Sequence, residues 1–74
     1  MEKIIVVVGY FPKSRVYMAK IVRGDIWAQA WKDQWTADGG TVAVGKMFYT
    51  SGKREEAYKA LKTKLIKEIK EKNN

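Results

Sequence analysis

The sequence predicts an α+β fold in which a small antiparallel sheet of three to four strands packs against one C-terminal α-helix, in the order β-β-β-β-α. Three observations lead to this prediction. A run of β-branched and aromatic residues, 42–50, passes through a Ser-Gly turn into a basic amphipathic stretch. Two more strand-like runs precede it, and the whole chain carries a net charge of +7. We expect residues 1–74 to form one domain.

The first two strands are predicted over residues 3–11 and 15–22, where β-branched residues are concentrated. Pro12 to Ser14 form the break between them. The apolar run from Ile4 to Val8 is continuous rather than alternating. Such a run indicates either a strand that is buried on both faces or an edge strand that a partner covers.

Residues 26–36 fit two structures. Their tryptophans recur at every fourth residue, at Trp27, Trp31 and Trp35. That spacing places the three indoles on one face of a helix, which Asp25 could cap, but an even spacing also places them on one face of a strand. Asp38-Gly39 follows, which is typical of a hairpin turn, and 41–50 is strand-like. We therefore predict strands over 26–36 and 41–50, with Trp27 and Trp31 facing the core.

The C-terminal helix is predicted over residues 53–72. Its apolar stripe has a spacing of four residues and consists of Ala57, Leu61, Leu65 and Ile69. Acidic residues near its start and lysines near its end complement the helix dipole. We expect Leu61 and Leu65 to be buried against the sheet with Trp27 and Phe48 as neighbours, and Lys72 to Asn74 to fray.

The composition leaves little for catalysis. The sequence has no cysteine and no histidine, which removes thiolate and imidazole metal ligands and the commonest general base. We expect no enzyme activity, no cofactor, no metal and no small-molecule substrate. The apolar run from Ile4 to Val8 is far shorter than the roughly 18 residues that span a bilayer. We therefore predict a cytoplasmic protein that does not contact a membrane.

The charge predicts a polyanionic partner. The chain has 15 basic and 8 acidic residues, and its pI is about 9.8, which is typical of nucleic-acid-binding proteins. In a sheet with a helix on one side, the other face is free and can enter a DNA major groove. We therefore predict a small protein that binds nucleic acid, with duplex DNA favoured. The predicted contacts are Arg15, Lys20, Arg23, Lys32 and Lys46.

From Val16 to Leu65 the chain carries a pattern of known domains. The matching residues, in order, are Gly24, Trp27-Ala28, Gly45, Phe48, Thr50, Glu55-Glu56-Ala57-Tyr58 and Ala60-Leu61. This pattern resembles the three-stranded-sheet-plus-helix DNA-binding domains of plant ethylene-response factors and the N-terminal arm-binding domains of integrases. The resemblance implies DNA binding through the sheet, as in an accessory factor of a mobile element or phage. Unlike that family, the second and third strands here have few arginines.

Two other functions also fit the sequence. The first is a protein-interaction module, either a homodimer or an inhibitor of a host protein, that uses the apolar first strand as an edge together with the tryptophan-rich strand. The second is the binding of single-stranded nucleic acid through exposed tryptophan and tyrosine. This last function requires the indoles to point outward, which the strand prediction for 26–36 does not give.

Overall fold

The computed structural model describes residues 2–72, so the predicted fraying of Asn73 and Asn74 lies outside the described residues. The elements in chain order are β1 (Glu2–Phe11), β2 (Val16–Val22), α1 (Asp25–Ala37), β3 (Thr41–Tyr49) and α2 (Arg54–Lys72). The three strands form an antiparallel sheet in the order β2-β1-β3. The α+β class, the antiparallel sheet and the C-terminal helix are thus confirmed.

β1 is the central strand and is buried on both faces. It pairs with β2 along one edge and with β3 along the other. Because side chains alternate along a strand, Val6 and its alternate neighbours face α2, whereas Ile5 and Val7 face α1. This double burial explains the continuous apolar run. Both edges of β1 are occupied, so the alternative in which this strand serves as an edge for a partner is wrong.

α2 covers the sheet face that carries Val6. Leu61, Leu65 and Ile69 are fully buried there, as their spacing predicts. Burying a side chain of this size contributes about 1.5–3 kcal/mol. The predicted neighbours Trp27 and Phe48 do not belong to this cluster. Trp27 lies on α1, and Phe48 alternates with the residues of β3 that face α2, so both are on the opposite side of the sheet.

The strand predicted over 26–36 is wrong, because these residues lie within α1. β2 and β3 both run antiparallel to β1, so they are parallel to each other, and the chain must cross β1 between them. A helix is the usual crossover between parallel strands. Ala28 and Trp35, two turns apart, are the residues that α1 buries against the sheet.

The Asp38-Gly39 pair ends α1 and does not form a hairpin turn. Gly39 has a φ of 89°, in the left-handed region that glycine adopts without strain. Its amide donates to the carbonyl of Thr36, and the amide of Gly40 donates to that of Trp35. These two bonds are those of a Schellman motif, which satisfies the last carbonyls of a helix. The same residue pair that is typical of a hairpin therefore serves here as a helix cap.

α1 covers the sheet face that the sequence predicts to be open. Ile5 and Val7 are buried beneath it, together with Val42 of β3. Trp35 is the largest side chain in this layer and contacts Phe11 edge-on, with ring centroids 5.9 Å apart. The sheet therefore lies between two helices, and the side chains left exposed on this face are Val16 and Met18 at the start of β2 and Val44 and Phe48 on β3.

The close approach of Trp35 to Gly9 makes this glycine sensitive to substitution. A Cβ atom at Gly9 would lie 2.7 Å from Cε3 of Trp35, whereas a Cβ atom at Gly24 would meet no other described atom within 4 Å. Because the indole is buried and cannot move aside, we expect Gly9→Ala to cost about 1–3 kcal/mol of unfolding free energy. Gly24→Ala is the control and should change stability by less than about 0.5 kcal/mol. Equal denaturation midpoints for the two variants would contradict this packing.

Candidate functional site

A groove between β2 and α1 combines aromatic and basic side chains. Its volume is about 440 Å³, and its lining residues are Lys20, Ile21, Val22, Arg23, Trp27 and Trp31. Alternation along β2 directs Lys20 and Val22 toward α1. Trp27 and Trp31 are one helical turn apart, so they lie on the same side of α1 and face β2. We call this feature the β2–α1 groove.

The two indoles of the groove differ in their surroundings. Trp31 is half-buried, with its ring centroid 5.8 Å from that of Trp35. The Nζ atom of Lys20 lies 4.1 Å from the centroid of Trp31, within the range of a cation–π contact. Trp27, in contrast, is 62% exposed. The groove thus has a fixed indole that holds an ammonium group, and a second indole that is accessible to solvent.

The five basic residues predicted as contacts do not form one surface. Lys20 and Arg23 come together in the β2–α1 groove. Lys46 lies on the other side of α1, where it forms an ion pair with Asp25. Lys32 follows Asp25 by two helical turns, so it is on that same side. Arg15 lies in the turn between β1 and β2, with a φ of 57°, at the opposite end of the sheet from Arg23.

The ion pair between Lys46 and Asp25 perturbs the acid. The side-chain hydrogen bond from Lys46, and then its charge, lower the pKa of Asp25, and the charge of Lys3 contributes in the same direction. Asp25 is also the first residue of α1, where a negative charge is favourable. Lys46 is thus already paired with a carboxylate, which makes it a weaker candidate for contact with a polyanion than Lys20 or Arg23.

The sequence prediction missed Trp27 and Trp31 as site residues. It placed them on a strand facing the core, whereas α1 turns both toward β2 and leaves Trp27 exposed. The signal that could have found them is the four-residue spacing read as a helix. On a helix, each step of four residues rotates the side chain by about 40°, so Trp27 lies about 80° around α1 from the buried Trp35.

Other kinds of site find less support in the part of the chain that the structure describes. Between Glu2 and Lys72, no three acidic residues come close enough together to hold a metal ion. Over the same residues, no helix has the length and apolar character needed to cross a bilayer.

Comparisons with family models, with curated proteins and with solved structures find no match to this chain. The resemblance to ethylene-response-factor and integrase domains therefore stays a prediction. Of its pattern, Trp27-Ala28 lies on α1 here and not on a strand.

The Asp25–Lys46 pair predicts a specific titration. Lys46→Gln should raise the pKa of Asp25 toward its ordinary value, because the hydrogen bond and the neighbouring charge are removed together. Since the folded pKa is lowered, the contribution of the pair to stability is present at pH values above the unfolded pKa. It is lost as the pH falls through the folded pKa.

Carboxyl chemical shifts followed by NMR across the acidic range measure this change. Lys32→Gln is the matched control, because it removes one charge from the same side of α1 without touching the pair. The same Asp25 titration curve in the Lys46→Gln variant and the wild type would show that the pair does not form in solution.

Proposed function

We propose that the protein binds single-stranded nucleic acid in the β2–α1 groove, with a base stacked on Trp27 and the backbone phosphates held by Lys20 and Arg23. The observation that carries this proposal is the exposed indole of Trp27 beside two cations in one groove. Proteins that bind single strands combine a basic groove with aromatic side chains on which bases stack. The net charge of +7 adds long-range attraction for a polyanion.

The covered sheet favours a single strand over a duplex. The predicted duplex mode requires an open sheet face, and α1 occupies the middle of that face. A base in a duplex is stacked on its neighbours and presents only its edge in a groove, whereas an unpaired base can lie flat on an indole. The exposed face of Trp27 therefore matches an unpaired base.

Lys20 and Trp31 support the same mode. The cation–π contact restricts the Lys20 side chain, so less rotamer freedom is lost when its ammonium meets a phosphate. Arg23 follows directly after β2 and lines the groove from the same edge. Together these side chains place positive charge along the wall of the groove that faces Trp27.

Removal of the Trp27 indole tests this mode. Trp27→Ala should weaken the binding of a short labelled oligothymidylate about 5- to 150-fold, because stacking contributes about 1–3 kcal/mol per base. Ile26→Ala is the control, since this neighbouring side chain is 85% exposed and lies outside the groove. With three or four phosphate contacts, affinity should also fall about 20- to 50-fold between 50 and 200 mM salt. Fluorescence anisotropy measures both effects.

Three results would overturn the proposal. The first is that no single-stranded DNA or RNA binds at low salt. The second is that Trp27→Ala and Ile26→Ala bind with equal affinity. The third is duplex DNA that binds more tightly than a single strand and does not respond to Trp27→Ala, which would favour the duplex prediction instead.

We propose as the second candidate function a homodimer formed through exposed apolar side chains at the start of α1. Ile26 is 85% exposed and Phe48 is 64% exposed. The ion pair between Asp25 and Lys46 brings their elements together, because Ile26 follows Asp25, and Phe48 is two residues beyond Lys46 on the same face of β3. Large exposed apolar side chains that lie close together are typical of protein interfaces.

Light scattering distinguishes this second function. If Ile26 and Phe48 form the interface, Phe48→Glu should convert a dimer at 100 µM into a monomer, because a carboxylate would be buried without a partner. Val16→Glu is the control, since it places the same charge at an exposed apolar position at the other end of the sheet. A wild-type protein that is monomeric at that concentration would rule out the homodimer.

A further inference from the structure

A second cavity lies at the end of the sheet where both helices begin. Its volume is about 230 Å³. Its polar lining comes from Lys3, Arg23, Tyr49 and Arg54, and its apolar floor from Ile4, Ile5, Ile21 and Val22. These cationic residues belong to the first strand, to the end of the second and to the first residue of α2, so only the folded chain brings them together. We call this feature the basic cavity.

The basic cavity brings three cations together without a carboxylate in its described lining. Among residues 2–72, the lining of the cavity contains no Asp or Glu. The ion pairs in this part of the chain involve other lysines, namely Lys46 with Asp25, Lys53 with Glu56 and Lys59 with Glu55. Glu55 and Glu56, the acids nearest in sequence to Arg54, pair with these lysines. Asp25 bonds to Lys46 and is also close enough to Lys3 for that charge to lower the pKa of Asp25, but it does not line the cavity. Three like charges around one small cavity repel each other, and a bound anion would remove that repulsion.

The helix N-termini themselves contribute little to the attraction for an anion. α1 and α2 both begin at this end of the sheet, but each carries acidic residues in its first turn. Those carboxylates offset the partial positive charge of the helix N-termini. The attraction for an anion therefore rests on the side chains of Lys3, Arg23 and Arg54.

The basic cavity adjoins the β2–α1 groove. Arg23 lines both, as do Ile21 and Val22. An anion in the cavity would thus be adjacent to a ligand in the groove. The planar guanidinium groups of Arg23 and Arg54 present paired donors that match two oxygens of a phosphate, and the hydroxyl of Tyr49 can donate another hydrogen bond.

We infer that the basic cavity is a phosphate subsite, which holds the phosphate next to the nucleotide whose base stacks on Trp27. This inference rests on the proposed function for the identity of the ligand, and it adds a defined direction to the bound strand. The strand would pass from the groove, over Arg23, to the phosphate between Lys3 and Arg54. The phosphate is either an internal phosphodiester or a terminal phosphate, which oligonucleotides with and without a 5′-phosphate distinguish.

The test removes the two cations of the basic cavity that do not line the β2–α1 groove. The double variant Lys3→Gln and Arg54→Gln leaves Arg23 and the groove intact. The matched control, Lys64→Gln and Lys67→Gln, removes the same net charge from exposed positions of α2. We expect the first variant to bind a six-nucleotide oligothymidylate about tenfold more weakly than the control. The affinity of this first variant should also fall less steeply with salt than that of the control, because fewer counterions are released when the oligonucleotide binds. Circular dichroism checks that both variants are folded.

Inorganic phosphate provides a test that does not depend on stacking. Titration of the wild type should shift the amide resonances of Arg23 and Arg54 in NMR spectra. Both shifts should persist in Trp27→Ala, and the shift at Arg23 should disappear in the double variant, which lacks Arg54. Shifts spread evenly over α2, or the same shifts in the double variant, would overturn the subsite.

The two proposals can therefore fail separately. If oligonucleotides bind the wild type and the two charge variants respond equally, the subsite is wrong and the groove remains. If phosphate shifts Arg54 but no oligonucleotide binds, the subsite stands and single-strand binding is wrong. If the double variant binds more weakly than its control, the subsite is supported, and the two oligonucleotides then identify its ligand. A preference for the 5′-phosphorylated oligonucleotide identifies a terminal phosphate, and equal affinity identifies an internal phosphodiester.

Discussion

Burial of β1 on both faces is the constraint on which the other elements depend. With no disulfide available, the chain is stabilised by two apolar clusters that share this one strand. Val6 belongs to the cluster under α2, and Val7 to the cluster under α1. Each cluster needs a helix to exclude water from one face of the sheet. The segment between β2 and β3 must therefore be a helix, although its sequence is compatible with a strand.

The packing of α1 then determines the environment of each tryptophan. Trp35 is anchored over Gly9, where any larger residue would collide with it, and this contact fixes the rotation of the helix. Trp31 lies one turn before Trp35, at the edge of the apolar layer between α1 and the sheet. Trp27 lies one turn earlier still and projects beyond that layer. The three indoles consequently form a series from buried to half-buried to exposed. The four-residue spacing of the tryptophans therefore accounts both for the buried side chain of Trp35 and for the exposed one of Trp27.

The sequence predicts those parts of the fold that depend on local patterns. The continuous run from Ile4 to Val8 and the stripe of α2 are buried as expected. The helix over 26–36 was not predicted, because a spacing of four residues places side chains on one face of a helix and also on one face of a strand. In addition, an Asp-Gly pair such as Asp38-Gly39 occurs both in hairpin turns and at helix ends. Of the predicted contacts, only Lys20 and Arg23 come together in the groove. Lys3 and Arg54, which line the basic cavity, are absent from the predicted contacts, because their proximity depends on strand pairing between distant segments.

Long-range attraction and short-range contact with a ligand come from different groups of basic residues in this structure. Much of the charge lies on α2, where Lys62 is near the ring of Tyr58 and Lys70 near that of Tyr17, on the side of the sheet away from the groove. Charge at that distance from a ligand acts through the overall field, which salt screens within about 10 Å. The side chains around Trp27 are those that contact the ligand directly in the proposed mode. In the proposed mode the field therefore attracts any polyanion, and the exposed indole selects an unpaired base, because a base within a duplex is already stacked on its neighbours.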